Sequence, residues 1–130
     1  MSDVFAFEVW VASVPEFRDT INARSASKAK YQYLIRLQDC WPDYQYTDLR
    51  VRKVGPPVTP EAFQRNAKYR GIETAYCGQR VTVGNSRGVI VGHNSSANLD
   101  ILFDDDAPKY AGETLNVHPS SVQFEESANA

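Results

Sequence analysis

The sequence predicts an α+β chain in two parts: an N-terminal strand–helix–strand unit and a C-terminal antiparallel β-barrel of five short strands, with a connector helix between them. Three observations predict it. Residues 4–11 alternate, with Phe5, Phe7, Val9 and Val11 on one side and Ala6, Glu8 and Trp10 on the other. Period two with aromatic and β-branched residues marks a strand with one buried face. Residues 25–41 repeat apolar side chains at helical spacing. From Ala75 onward, five short apolar runs are separated by turns rich in Gly, Asn and Pro, the pattern of a small antiparallel barrel.

Taking the elements in order, Pro15 closes the first strand. Ser25 is suited to cap the helix, whose apolar stripe is Ala26, Ala29, Tyr33, Leu37 and Cys40, with Leu34 and Trp41 beside it. Lys28, Gln32, Arg36 and Asp39 fall on the opposite face, and Pro42 ends the helix. Residues 46–54 alternate again: Thr47, Leu49 and Val51 inward, Asp48, Arg50 and Arg52 outward. Two strands make a poor sheet, so this unit needs a further strand from elsewhere in the chain or from another subunit. "GPPVTP" at 55–60 is a break in composition. Thr59, Pro60 and Glu61 then open a helix as cap, first-turn proline and first-turn acid, and Gly71 ends it. With only Phe63 and Ala67 as a stripe, it reads as a connector or docking helix. The expected boundaries are 1–56 for the αβ unit, 57–74 for linker and connector helix, 75–126 for the barrel, and 127–130 for a disordered tail. Within the barrel, Gly84 and Gly88 bound the "GNSRG" hairpin.

A chain of 130 residues holds one ordinary domain or two very small ones. Hydrophobic residues at 42% and charged residues at 23% describe a globular protein. The net charge of -2 and pI of about 5.6 remove the general argument for nucleic-acid binding and leave only a local basic face. Cys40 and Cys77 read as free thiols of a reducing cytoplasm, with one disulfide between them as the alternative. The N-terminus lacks a basic region before its apolar residues, and no apolar run approaches the ~20 residues of a membrane span. The expectation is a soluble cytoplasmic protein.

Asp104, Asp105 and Asp106 could offer hard oxygen ligands to Mg²⁺ or Ca²⁺. Their contiguity before Ala107 and Pro108 reads instead as an acidic turn. His93, His118, Cys40 and Cys77 match a zinc set in number but contain no local chelating pair. No nucleophile elbow and no phosphate loop occurs, so no catalytic residue, metal or cofactor is expected. Tyr76, Phe103 and Tyr110 are too few for an aromatic cage, because Phe103 alternates with Leu99 and Ile101 into the core. The candidates for partner contact are His93, Asn94 and Asn98 in one polar loop and Asp104, Asp105 and Asp106 in another. A second set, Arg36, Arg50, Arg52 and Lys53 with Tyr31, could form a basic face for nucleic acid. The acids concentrate in the C-terminal half, a charge asymmetry that permits self-association.

The strand order over 75–124, with a His118–Pro119 turn before a last short strand, resembles SH3-like barrels of the Tudor and KOW type. The stretches "TINARSASKAKYQYLIRLQDCWPDYQYTDLRVR" and "GQRVTVGNSRGVIVGHNSSANLDILFDDDAPKYAGETLNVHP" together resemble small uncharacterised proteins of tailed bacteriophages and prophages. That resemblance runs from about Asp19 to Phe124 and brings no catalytic residue with it. It implies a phage-borne accessory protein in the cytoplasm of the bacterial host, acting without chemistry of its own. Its partner would be a bacterial host or defence protein complex that it binds and blocks, as an anti-CRISPR-like inhibitor does. The alternative is a nucleic-acid-binding module that uses the basic face.

Overall fold

A computed structural model describes residues 4–125; the tail expected at 127–130 lies outside the described residues. The chain is α+β and divides into two compact units between Val58 and Thr59.

The first unit runs β1 (Phe5–Val11), β2 (Val14–Ala23), α1 (Ala26–Cys40), a 3-10 turn (Tyr46–Asp48) and β3 (Leu49–Gly55). β1 is the central strand of a three-stranded antiparallel sheet in the order β2-β1-β3. The further strand is therefore β2, from this same chain; Pro15, expected to close the first strand, lies inside it. β2 is an edge strand whose first seven residues are exposed or half-buried, and Asp19 interrupts the alternation of Phe17, Ile21 and Ala23, so period two is faint there. Its proline sits near the strand start, where a missing N–H is tolerated. α1 begins as expected, with Ser25 Oγ accepting the Lys28 N–H at 3.2 Å. It buries Ala29, Tyr33, Leu34 and Leu37 in one core with Phe7, Val9, Val11, Ile21 and Leu49. Val9, Val11 and Leu49 are fully buried, each worth roughly 1.5–3 kcal/mol over exposure. Two details depart from expectation. Cys40, in the last helical turn, is exposed. Residues 46–48 form a 3-10 turn rather than strand, because the Asp48 carboxylate accepts the Gln45 N–H at 2.8 Å and curls the chain before β3.

The second unit runs α2 (Glu61–Tyr69), β4 (Arg80–Val83), β5 (Ser86–His93), β6 (Leu99–Phe103), β7 (Thr114–Val117), a 3-10 turn (Pro119–Ser121) and β8 (Gln123–Phe124). The five strands form one antiparallel sheet in the order β7-β6-β5-β4-β8. The sheet stays open: β7 and β8 are its two edges, so the expected closed barrel is not formed. The edge strands are short, four and two residues, which limits any ladder that could close the sheet. α2 is more than a connector, since Phe63 and Ala67 stand in one core with Ala75, Cys77, Val81, Ile90, Ile101 and Phe103. Thr59 does not cap it. Its hydroxyl accepts the Cys77 N–H at 3.1 Å, and Pro60 holds the cap position. The β4–β5 turn is two residues, Gly84 and Asn85, with Gly84 at φ +63, tighter than the expected five-residue turn. Gly88 lies inside β5 opposite Phe103. A Cβ there would stand 2.7 Å from the Leu102 carbonyl oxygen. Among the described residues no helix is long and apolar enough to cross a membrane.

Candidate functional site

The polar loop between β5 and β6, residues 94–98, is built around one side chain. Asn94 Oδ1 accepts the backbone N–H of Ser96 and of Asn98, each at 3.0 Å. The backbones of Asn94 and Asn98 bond directly, Asn94 N–H to Asn98 O, at 3.0 Å. An Asn that bonds the backbone two residues on is a turn former by its own chemistry. Here it also holds Ala97 at φ +62, a conformation costly for a residue with a Cβ. α2 braces the loop from outside. Arg70 Nη2 donates to Ser96 O at 2.8 Å and to Asn98 Oδ1 at 3.2 Å, and Nη1 meets His118 Nε2 at 3.0 Å. On the sheet side, Asn94 Nδ2 donates to Asn116 Oδ1, and Asn116 Nδ2 donates to Asp100 Oδ1, both at 2.9 Å. His93 is half-buried with its ring edge-on to Phe63 at 5.6 Å. Burial holds its imidazole below the ordinary value, with the Asp100 carboxylate opposing the shift. Asn94 and Asn98 thus direct their side chains into the loop's own framework, and Ser95 and Ser96 are the exposed residues at its tip.

The acidic run is a different kind of structure. Asp104 is paired with Arg80 through both carboxylate oxygens, Oδ1 at 3.0 Å from Nη1 and Oδ2 against Nη2. The two side chains are 20% and 19% exposed. Its carbonyl accepts the N–H groups of Ala107 and Gly112, each at 3.2 Å, so Asp104 closes the β6–β7 loop. Asp105 and Asp106 are exposed. The two loops leave β6 from opposite ends. Over its five residues that separates them by on the order of 17 Å. His93, Asn94 and Asn98 form one locale, and Asp104, Asp105 and Asp106 another.

The basic set is split as well. Arg50 and Arg52 face the side of the sheet away from α1, with Arg50 opposite Trp10 and Arg52 opposite Glu8. Lys53 lies opposite Phe7 on the α1 side and rests over the Phe5 ring at 3.6 Å. Arg36 and Tyr31 belong to α1, where Arg36 pairs with Asp19 at 3.2 Å and Tyr31 is 59% exposed. Two residues outside the expected set complete the face of Arg50 and Arg52. Arg18 of β2 stands opposite Trp10, its guanidinium 5.5 Å from the indole centroid. Glu8 receives Arg52 Nε at 2.9 Å and Arg18 Nη1 at 3.3 Å. The Arg52 hydrogen bond, with Arg18 beside it, holds the Glu8 carboxyl below the usual range. Alternation in β1 already placed Glu8 and Trp10 on this face. Arg18 was invisible because β2 was.

Ser120 Oγ and His118 Nδ1 are 2.8 Å apart. The Ser120 N–H donates to the same Nδ1 at 3.1 Å, so the imidazole caps the 3-10 turn Pro119–Ser121. Among the described residues, no group of three His, Cys, Asp or Glu side chains is placed to hold a metal ion. Phe103 is buried in the core beneath Tyr110, 5.6 Å between ring centres. Comparison with protein-family models, curated proteins and solved structures returns no match for this chain.

Proposed function

We propose that the protein is a phage-borne, non-enzymatic binding protein that docks on a bacterial host or defence protein complex in the host cytoplasm and blocks it, an anti-CRISPR-like inhibitor in concrete form. The observation that supports this reading is the pre-built loop 94–98, held by Asn94 from within and by Arg70 at the C-terminal cap of α2. A loop already ordered in the free protein costs little conformational entropy on docking. Ser95 and Ser96 at its tip and the exposed edge of His93 are the contact groups. Asp105 and Asp106 offer a second, separate contact. The relation to SH3-like barrels belongs to the same proposal. It rests on the 3-10 turn Pro119–Ser121 leading into β8, within a sheet that remains open.

The test is capture of partners from a bacterial host lysate with the intact chain, in parallel with nuclease treatment and a salt series. A stoichiometric protein partner that survives nuclease and moderate salt, and is lost with Ser96→Arg, is the expected result. Retention that disappears with nuclease would sink this reading. A second reading, a nucleic-acid-binding module, is favoured by one specific observation: Arg18, Arg50 and Arg52 surround Trp10 and Glu8 on one sheet face.

A further inference from the structure

We infer that the face of the three-stranded sheet opposite α1 is a stacking platform for a single strand of nucleic acid, an inference that rests on the second reading above. The face is laid out by strand register. Across one row run Arg18, Trp10 and Arg50, and across the next Thr20, Glu8 and Arg52. Neighbouring strands lie about 4.8 Å apart; on one side the Arg18 guanidinium lies 5.5 Å from the indole centroid, and on the other Arg50 donates to the Thr47 and Leu49 carbonyls at 3.0 and 2.9 Å. Three arginines oppose one carboxylate, and that carboxylate is already bonded by Arg52 and Arg18. The face therefore carries net positive charge within a chain whose total is -2. The surplus is local: residues 4–58 hold eight Lys and Arg against six Asp and Glu, while 59–125 hold six against eight. The cationic side chains are accessible, with Arg18 45% and Arg52 64% exposed.

Charge alone would suit any polyanion. The central indole selects among them. A single strand can turn an unstacked base onto an aromatic ring or a guanidinium plane while its phosphates meet the flanking cations. A duplex keeps its base faces inside the helix and has no use for Trp10. An acidic protein surface would likewise engage the arginines without needing the ring.

The test uses the intact chain and three labelled probes of about 15 nucleotides, the upper end of the footprint of a small stacking surface: oligo-dT, oligo-U and a mixed-sequence DNA duplex. Binding is read by fluorescence anisotropy over a salt series. Trp41→Phe provides a background in which Trp10 is the sole tryptophan, so that quenching of its emission reports stacking. The expected result is saturable binding of a single strand that quenches Trp10. Log affinity should fall against log salt with a slope of about -2, roughly 0.7 for each of three phosphate contacts. Trp10→Ala should weaken binding by about 5- to 150-fold, the contribution of one stacked base, and Trp10→Phe should restore most of it. Arg50→Ala and Arg52→Ala, exposed changes that leave the core intact, should each flatten the salt slope by about 0.7. Duplex binding that equals single-strand binding and ignores Trp10→Ala would overturn this inference while leaving the nucleic-acid reading in place. Absence of binding to all three probes would overturn both. So would capture of a protein alone through Arg50 and Arg52, which would reassign the face to the blocking function.

Discussion

At the residue scale, Asn94 carries more of its loop than any neighbour, because one carboxamide oxygen accepts two backbone N–H groups and its amide bonds Asn116. Asn94→Ala should cost about 1–3 kcal/mol, the range for leaving hydrogen-bonding groups unpaired, and should raise amide exchange at Ser96 and Asn98. A urea midpoint and hydrogen-exchange rates check the two parts separately. His93 makes a pH prediction with a definite sign. Burial against Phe63 lowers its folded-state pKa below the ordinary value, so the unfolded chain binds the proton more tightly. Its contribution to stability is intact above about pH 6.5, the unfolded value. It should be lost progressively as pH falls from there to the lower folded-state pKa. Urea midpoints across this window should slope downward on acidification, and His93→Gln should flatten that part of the profile. The sequence singled out His93, Asn94 and Asn98 because small polar residues between two strands mark a loop. It could not show that the two asparagines also tie the loop to the rest of the unit, since the partners that do so, Arg70 and Asn116, are distant in sequence.

At the element scale, Gly88 and the Arg80–Asp104 pair set how β5, β6 and β4 come together. A Cβ at position 88 would stand 2.7 Å from Leu102 O and 2.9 Å from Ile101 Cγ2, and the first of these is backbone that cannot swing aside. Gly88→Ala should therefore destabilise by roughly 1–3 kcal/mol, the usual cost of overpacking, measured as a lowered thermal midpoint. Arg80→Met removes both guanidinium bonds from the Asp104 carboxylate at a site only 20% exposed. It should cost about 2 kcal/mol, below the full penalty for a broken buried pair because water reaches part of it. Chemical denaturation checks it, and adding Asp104→Asn should recover part of the loss. The strong periodic elements, β1 and α1, were legible because each has one face buried and one wet. β2 was not, because an edge strand exposed on both sides at its N-terminal half has no such contrast. Thr59 was misassigned as a cap for a related reason: its hydroxyl had a better partner in Cys77, eighteen residues away.

At the scale of the whole molecule, each unit has its own apolar core, one centred on β1 and α1 and the other on α2 and the five-stranded sheet. Fragments 1–58 and 59–130 should each retain cooperative unfolding when expressed alone, with the smaller the less stable, because little surface is buried at that size. Circular dichroism melts of the two fragments check this. The sequence by itself determined the α+β class, the caps and breaks of α1, the run of short strands after Ala75 and the side of β1 on which Trp10 lies. These depend on neighbours a few residues apart, where periodicity and turn chemistry operate. Only the tertiary structure decided that β2 completes the first sheet, that the second sheet stays open, that the two polar loops sit at opposite ends of β6, and that Arg18, Arg50 and Arg52 gather around Trp10. Each of those depends on strand register and on pairings between distant segments. A shift of one residue would turn the same side chains to the other face.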